Sequence, residues 1–179
     1  LNMTIGAFNT HNLEMMPEMI RAAKEVGVPI IIQTSIATAK YIGYKVMVTV
    51  AKEMAEDEMV DVCLHLDHAK DFDEIKAAID AGFSSVMFDG SALPFKENIA
   101  KTKMVVAYAH AHGASVEGEL GTIGGTEEGI CVSEDDKKYT RPQDAAIFVK
   151  ETNVDALAIA IGTNHGQYQS KTEVNIPLL

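Results

Sequence analysis

Four times along the chain a helix-spaced segment ends in Gly or Asn and passes at once into an apolar or β-branched run. The first is Val26-Gly27-Val28-Pro29-Ile30-Ile31-Ile32, and the second is Ala81-Gly82-Phe83-Ser84-Ser85-Val86-Met87-Phe88. The third is His112-Gly113-Ala114-Ser115-Val116, and the fourth is Thr152-Asn153-Val154-Asp155-Ala156-Leu157-Ala158-Ile159. Gly and Asn tolerate the left-handed backbone that closes a helix. A short apolar run directly after them reads as a buried strand. Between these runs the apolar residues recur at helical spacing: Leu13, Met16, Ile20 and Ala23; then Tyr44, Val48, Ala51 and Ala55; then Phe72, Ile75 and Ile79. Asp71 followed by Glu74 has the form of a capping box, and Pro142 suits the first turn of a helix.

The pattern predicts six strands, at 4–9, 29–35, 61–67, 84–89, 115–120 and 154–161. Five helices intervene, at 12–26, 38–57, 71–81, 95–112 and 142–152. Strict alternation of strand and helix implies an α/β fold with a parallel sheet. Strand one runs into Ala7-Phe8-Asn9-Thr10-His11-Asn12, with no glycine-rich phosphate fingerprint, which argues against a dinucleotide-binding fold. The remaining candidate is a TIM (β/α)8 barrel, of which six βα units are present. No linker or low-complexity tract interrupts the chain, so residues 1–179 read as a single barrel domain. The longest loop, 121–141, is glycine-rich and then acidic, and long loops in compact domains are commonly functional.

Composition narrows the possibilities. The chain has 179 residues, 47% apolar and 23% charged, enough to bury a sizeable core. Its net charge of −11 comes with no basic stripe, which argues against nucleic acid as a partner. No apolar run approaches the roughly 20 residues of a membrane span. The start, Leu1-Asn2-Met3-Thr4, has neither the basic residues nor the cleavage site of a signal peptide. It also lacks an initiator methionine, so a trimmed N-terminus is expected. Cys63 and Cys131 form no CxxC pair, as in a reduced cytoplasmic protein. Cys63 is expected to be buried mid-strand, and the nine methionines are expected mostly in the core.

Polar side chains gather at the C-terminal ends of the predicted strands, where parallel α/β folds build active sites. The ends carry Asn9; Gln33-Thr34-Ser35; His65-Leu66-Asp67-His68; Asp89-Gly90-Ser91; Glu117-Gly118-Glu119; and Gly162-Thr163-Asn164-His165-Gly166. The two-residue strand period puts His65 and Asp67 on one face, with His68 just past the strand. A hydrogen-bonded histidine pair is the bland reading of His-x-Asp-His. His165 on the same edge adds a second imidazole, which with Glu119 could hold a divalent metal such as zinc. His110 and His112 fall at a helix end and are expected to be solvated. No predicted strand carries a lysine, and Lys70 follows in a turn, so a Schiff-base mechanism is disfavoured.

Taken together, these motifs resemble the class II, zinc-dependent ketose-bisphosphate aldolases, a family that includes fructose- and tagatose-bisphosphate aldolases. The likeness runs from Gly6-Ala7-Phe8-Asn9 and His65-Leu66-Asp67-His68 through Ser85 to Ser91 and Glu97-Asn98-Ile99. It continues through Ser115 to Gly121, Gly124-Gly125-Thr126-Glu127, and Ala160 to Gly166. The resemblance implies a TIM barrel with His68 and His165 as zinc ligands. Glu119 would be an alternative or second metal ligand, joined by Asp89, and a monovalent cation or a second divalent ion would be a further cofactor. Asp67 would be the acid/base on the C4 hydroxyl, and Glu127 would move the C3 proton. Asn9 and Ser35 would contact the substrate, and Gly166 would lie near a phosphate or a monovalent cation. The product pair would be dihydroxyacetone phosphate and an aldehyde phosphate, and the protein would be a homodimer or homotetramer.

Some positions depart from the family pattern. Its third zinc histidine lies in a His-Gly-Gly segment on strand seven, and this sequence ends at Asn175-Ile176-Pro177-Leu178-Leu179, before strands seven and eight. A truncated, non-catalytic chain, one ligand short, with weak zinc binding and negligible turnover, is therefore a second expectation. Ala37 stands where a glycine is common, and Gln169 where a lysine is common, which bears on the choice of sugar. Fructose 1,6-bisphosphate is the default substrate, with tagatose bisphosphate or another phosphoketose as alternatives. A metal-dependent hydrolase on the same barrel is a third reading.

Overall fold

A computed structural model describes residues 3–127, 130–132, 139–166 and 173–179, with the backbone alone for 124–127 and 130–132. Chain contacts divide it into two compact units, Leu1–Phe88 with Ala107–Val116, and Asp89–Val106 with Glu117–Leu179.

The first unit contains β1 (Gly6–Asn9), α1 (Met15–Val26), β2 (Ile30–Ser35), α2 (Ile36–Ile42) and α3 (Tyr44–Glu58). Then come β3 (Val62–Ala69), α4 (Phe72–Ala81) and β4 (Ser85–Phe88), with the end of α5 (Phe95–Ala111) and the start of β5 (Ser115–Leu120). The sheet runs β1-β2-β3-β4 with parallel pairing at each step, and Ser115 N donates to Ser84 O at 3.0 Å. Helices close where the sequence places left-handed residues: Gly27 at φ 75° and Gly82 at φ 110°. Met16 and Ile20 of α1, Ile32 of β2, Met47 of α3, Leu66 of β3 and Ile75 of α4 are fully buried and form its core.

The helix expected over 38–57 is two helices. Gly43 adopts φ 99° and ψ 123°, a conformation open to glycine and strained for any other residue. Its N–H closes α2 on Ala39 O, and its carbonyl opens α3 by accepting from Met47 N. The capping box at Asp71 is half formed. Asp71 accepts from Asp73 N at 2.7 Å, but Glu74 turns away to Lys40 and the Tyr44 hydroxyl.

The second unit holds the start of α5, the end of β5, β6 (Gly124–Glu127), β7 (Ile130–Val132), α6 (Pro142–Thr152), β8 (Ala156–Ile159) and β9 (Asn164–His165). A one-turn 3₁₀ helix covers Ile176–Leu178. β8 adds to β5 in parallel register, from Glu117 opposite Ala156 to Leu120 opposite Ile159. Pro142 opens α6 and Asn153, at φ 59°, closes it. Phe148 is fully buried and packs beside Phe95 and against the bare backbone of Gly118.

The segment read as the long loop 121–141 carries secondary structure of its own. β6 and β7 form an antiparallel hairpin, and β6 also pairs in parallel with β9, Gly124 opposite Asn164 and Gly125 opposite His165. Two expectations about burial are corrected. Cys63 is half-buried, and of the methionines only Met16, Met47 and Met87 are buried, while Met3, Met59 and Met104 are exposed. Met59 is exposed because it closes α3 in the left-handed conformation, φ 56°, where its side chain points off the helix end.

Candidate active site

In the first unit the site begins at the C-terminal ends of β1, β2 and β3, whose register places Asn9 opposite Gln33 and Ser35 opposite Asp67. Asp67 is buried at 6% exposure, and Asn9 Nδ2 donates to its Oδ2 at 3.2 Å. Asn9 itself is solvent-facing, so this amide both anchors the carboxylate and borders open space. Ser35 caps α2, its Oγ accepting from Thr38 N at 3.3 Å.

β3 does not end at Asp67. It continues to Ala69 through a bulge, because Leu66 pairs with Val86 and Ala69 with Phe88, leaving one extra residue on β3. His68 sits in that bulge at φ 49°, a left-handed conformation uncommon outside glycine. The bulge breaks the strict alternation that would send neighbouring residues to opposite faces. His68 Nε2 accordingly lies 4.0 Å from Asp67 Oδ1, although the two are adjacent in sequence.

His65 is buried, and its Nδ1 shares a 2.8 Å hydrogen bond with Ser85 Oγ. Burial pushes its pKa down to about 4; the negative charge of Asp67 opposes that shift, and His68 adds to it. His65 is therefore a neutral imidazole at neutral pH, held by Ser85. In sequence it is one of the polar residues gathered at the strand ends; its Ser85 partner, 20 positions away, is set by the pairing of β3 with β4.

In the second unit, Asp89 follows β4 and Glu119 lies on β5, and a carboxylate oxygen of each lies within 4.8 Å of the other. Glu119 is 3% exposed and Asp89 is half-buried. Asp89 Oδ1 accepts from Ser91 N at 3.1 Å and from Ser91 Oγ at 2.6 Å, which fixes one of its oxygens. Two carboxylates this close gather hard, anionic oxygen donors at one point. That is the donor chemistry of a divalent-cation site, so these residues fit the metal that the motifs imply.

His165 is half-buried in β9, tied through Gly125 to the strand that ends in Glu127. Gly166 follows it at φ 72°, exposed. The Glu127 and Cys131 side chains, and all of Gln169, lie outside the described residues. His110 and His112 are exposed, as expected, and His112 stacks on Tyr108 with ring centroids 4.2 Å apart. Among the described residues, no helix is long and apolar enough to cross a membrane.

Parallel βα units with acidic and imidazole groups at the strand ends define an α/β fold of the barrel type. The family model described as "Fructose-bisphosphate aldolase class-II" matches residues 1–179. A fructose-bisphosphate aldolase of Giardia intestinalis (strain ATCC 50803 / WB clone C6) is 48% identical over 177 residues, covering 97% of this chain and 53% of that protein. A fructose-bisphosphate aldolase of Thermus caldophilus is 41% identical over 167 residues, covering 93% of this chain and 54% of that protein. Among solved structures, the YdjI aldolase of Escherichia coli K12 superposes with a TM-score of 0.83 at 35% identity, over 98% of this chain and 61% of its own. A solved chain from Coccidioides immitis does so with a TM-score of 0.87 at 34% identity, over 98% and 62%. The chain belongs to the class II fructose-bisphosphate aldolase family. Its fold is the α/β TIM type of those structures, and it spans about half the length of the curated relatives it matches.

Proposed function

We propose that this chain carries the metal- and acid/base-bearing part of a zinc-dependent aldolase that cleaves a ketose bisphosphate reversibly. Fructose 1,6-bisphosphate is the expected substrate, and dihydroxyacetone phosphate and an aldehyde phosphate are the products. The observation that carries this reading is the family match over residues 1–179, at up to 48% identity to a fructose-bisphosphate aldolase. Residues 1–179 would belong to one barrel domain.

His68 is the proposed imidazole ligand and Asp89 and Glu119 the proposed carboxylate ligands, residue types suited to a divalent cation. His165 is the second imidazole of the proposed site. Zinc bound there supplies Lewis acidity, which polarises a carbonyl and stabilises charge developing on oxygen.

The chain's own residues move the protons. Asp67 accepts the proton of the C4 hydroxyl, the C3–C4 bond breaks, and its electron pair passes to the ketose half. The Asn9 amide occupies Oδ2 of Asp67 and so orients Oδ1 as the base. Glu127 then delivers a proton to C3. His65 stays neutral at working pH and does not compete for that proton. Asn9 and Ser35 are the proposed substrate contacts, and Gly166 is the proposed neighbour of a phosphate or a monovalent cation. The working protein would be a cytoplasmic homodimer or homotetramer, which light scattering would test.

The central test assays the purified protein on fructose 1,6-bisphosphate, tagatose 1,6-bisphosphate and other phosphoketoses. Turnover that a chelator removes and zinc restores is the expected result. A folded, zinc-loaded chain with no turnover on any of them would overturn the catalytic reading in favour of a non-catalytic chain.

A further inference from the structure

We propose that Asn98, locked in place by Thr102, is a positioning residue for Glu119 and through it for the cation; this rests on the metal reading above. All three residues belong to the second unit. Asn98 lies in the first turn of α5 and Thr102 one turn further on, at 1% and 0% exposure. Asn98 Nδ2 donates to the backbone carbonyl of Glu119 at 3.0 Å. Thr102 Oγ1 donates to Asn98 Oδ1 at 3.1 Å. The threonine thus fixes which end of the amide faces the strand. Only the NH2 end can serve a carbonyl, and the threonine hydroxyl takes up the amide oxygen.

A buried amide stabilises a fold less than a well-packed leucine would, unless every polar atom is served. Here the donor is directed at the carbonyl of the very residue that brings a carboxylate to Asp89. The next carbonyl along β5 is held in the same way from another element. Thr140 Oγ1 donates to Leu120 O, and Ala160 N donates back to Thr140 Oγ1 at 2.8 Å. Two successive carbonyls at the end of β5 are therefore pinned by buried side chains, one from α5 and one from the segment entering α6. The pins fix the strand end that carries Glu119 beside Asp89, as supporting hydrogen bonds do around metal ligands.

The test measures zinc affinity by competition with a chromophoric chelator, alongside thermal unfolding of the metal-free protein. Asn98→Leu keeps the volume and removes the donor, and its zinc affinity is expected to fall about 10- to 100-fold. Thr102→Val leaves Asn98 in place but frees its amide, and should weaken zinc binding several-fold; Thr102→Ser should restore wild-type affinity. A purely structural role would lower the metal-free melting temperature while leaving affinity unchanged. Should Asn98→Leu fail to fold, Thr102→Val decides alone, and wild-type affinity in it overturns the proposal. Failure of the wild-type protein itself to take up zinc overturns the metal reading. Equal uptake by wild type and variants overturns this inference and leaves that reading standing.

Discussion

Acidification of the metal-free protein should destabilise it through the pH range from 6.5 to 4, and His65 is the cause. The unfolded chain holds this imidazole at its ordinary pKa of 6.5, while the folded chain depresses it to about 4. Between those values the unfolded state carries a proton that the folded state does not, so stability falls as pH falls. The contribution is complete above 6.5, declines through the window, and levels off once both states are protonated. One proton gives a slope of at most about 1.4 kcal/mol per pH unit, and the full window amounts to about 3 kcal/mol. His65→Asn removes the titration and keeps a polar group toward Ser85. Urea unfolding at half-unit pH steps, with chelator present, would compare the two proteins; carboxylates such as Glu58 and Glu74 titrate in both and cancel in the difference. The wild type should lose stability relative to His65→Asn as pH drops. Parallel curves from pH 6.5 to 4 would refute the assignment of a buried, neutral His65.

Further outcomes can be checked by single substitutions. In Gly118→Ala the new Cβ would lie 2.7 Å from Phe148 Cε1, and the fully buried ring cannot yield. A loss of about 1–3 kcal/mol in chemical denaturation is expected, partly recovered by adding Phe148→Leu. Asp71→Ala removes the cap of α4 and should cost about 1 kcal/mol, read as a lowered melting temperature. Asp67→Asn should lower kcat/KM for the bisphosphate by about 10²- to 10⁴-fold while zinc binding survives.

The sequence displayed the framework because its signals are local. Gly27, Gly82 and Asn153 announce helix ends by chemistry that acts within one turn, and the apolar runs behind them became β2, β4 and β8. The polar residues at strand ends were equally legible, since a strand end and its side chain are read from the same few positions. What escaped depends on partners distant in the chain. The bulge at His68 exists only in the comparison of β3 with β4, so periodicity alone sets His68 beyond the strand. The small sheet joins Gly124 and Gly125 to Asn164 and His165, and a strand of two residues has no period to detect. Gly43 lay inside a run of good helical spacing, where a lone glycine is tolerated and the break is invisible. Asn98 was visible within Glu97-Asn98-Ile99, but its purpose appears only when the carbonyl of Glu119 is placed beside it.

The pairing of β6 with β9 bears on how this scaffold can be re-engineered. Gly125 and His165 share a register, so the backbone that ends in Glu127 and the backbone that bears His165 are stitched into one ladder. A graft that replaced the 121–140 segment with a relative's version would import a strand whose mate remained behind. Loop exchange on this scaffold therefore has to move the two stretches as a single cassette, with the hairpin and the His165 strand crossing together.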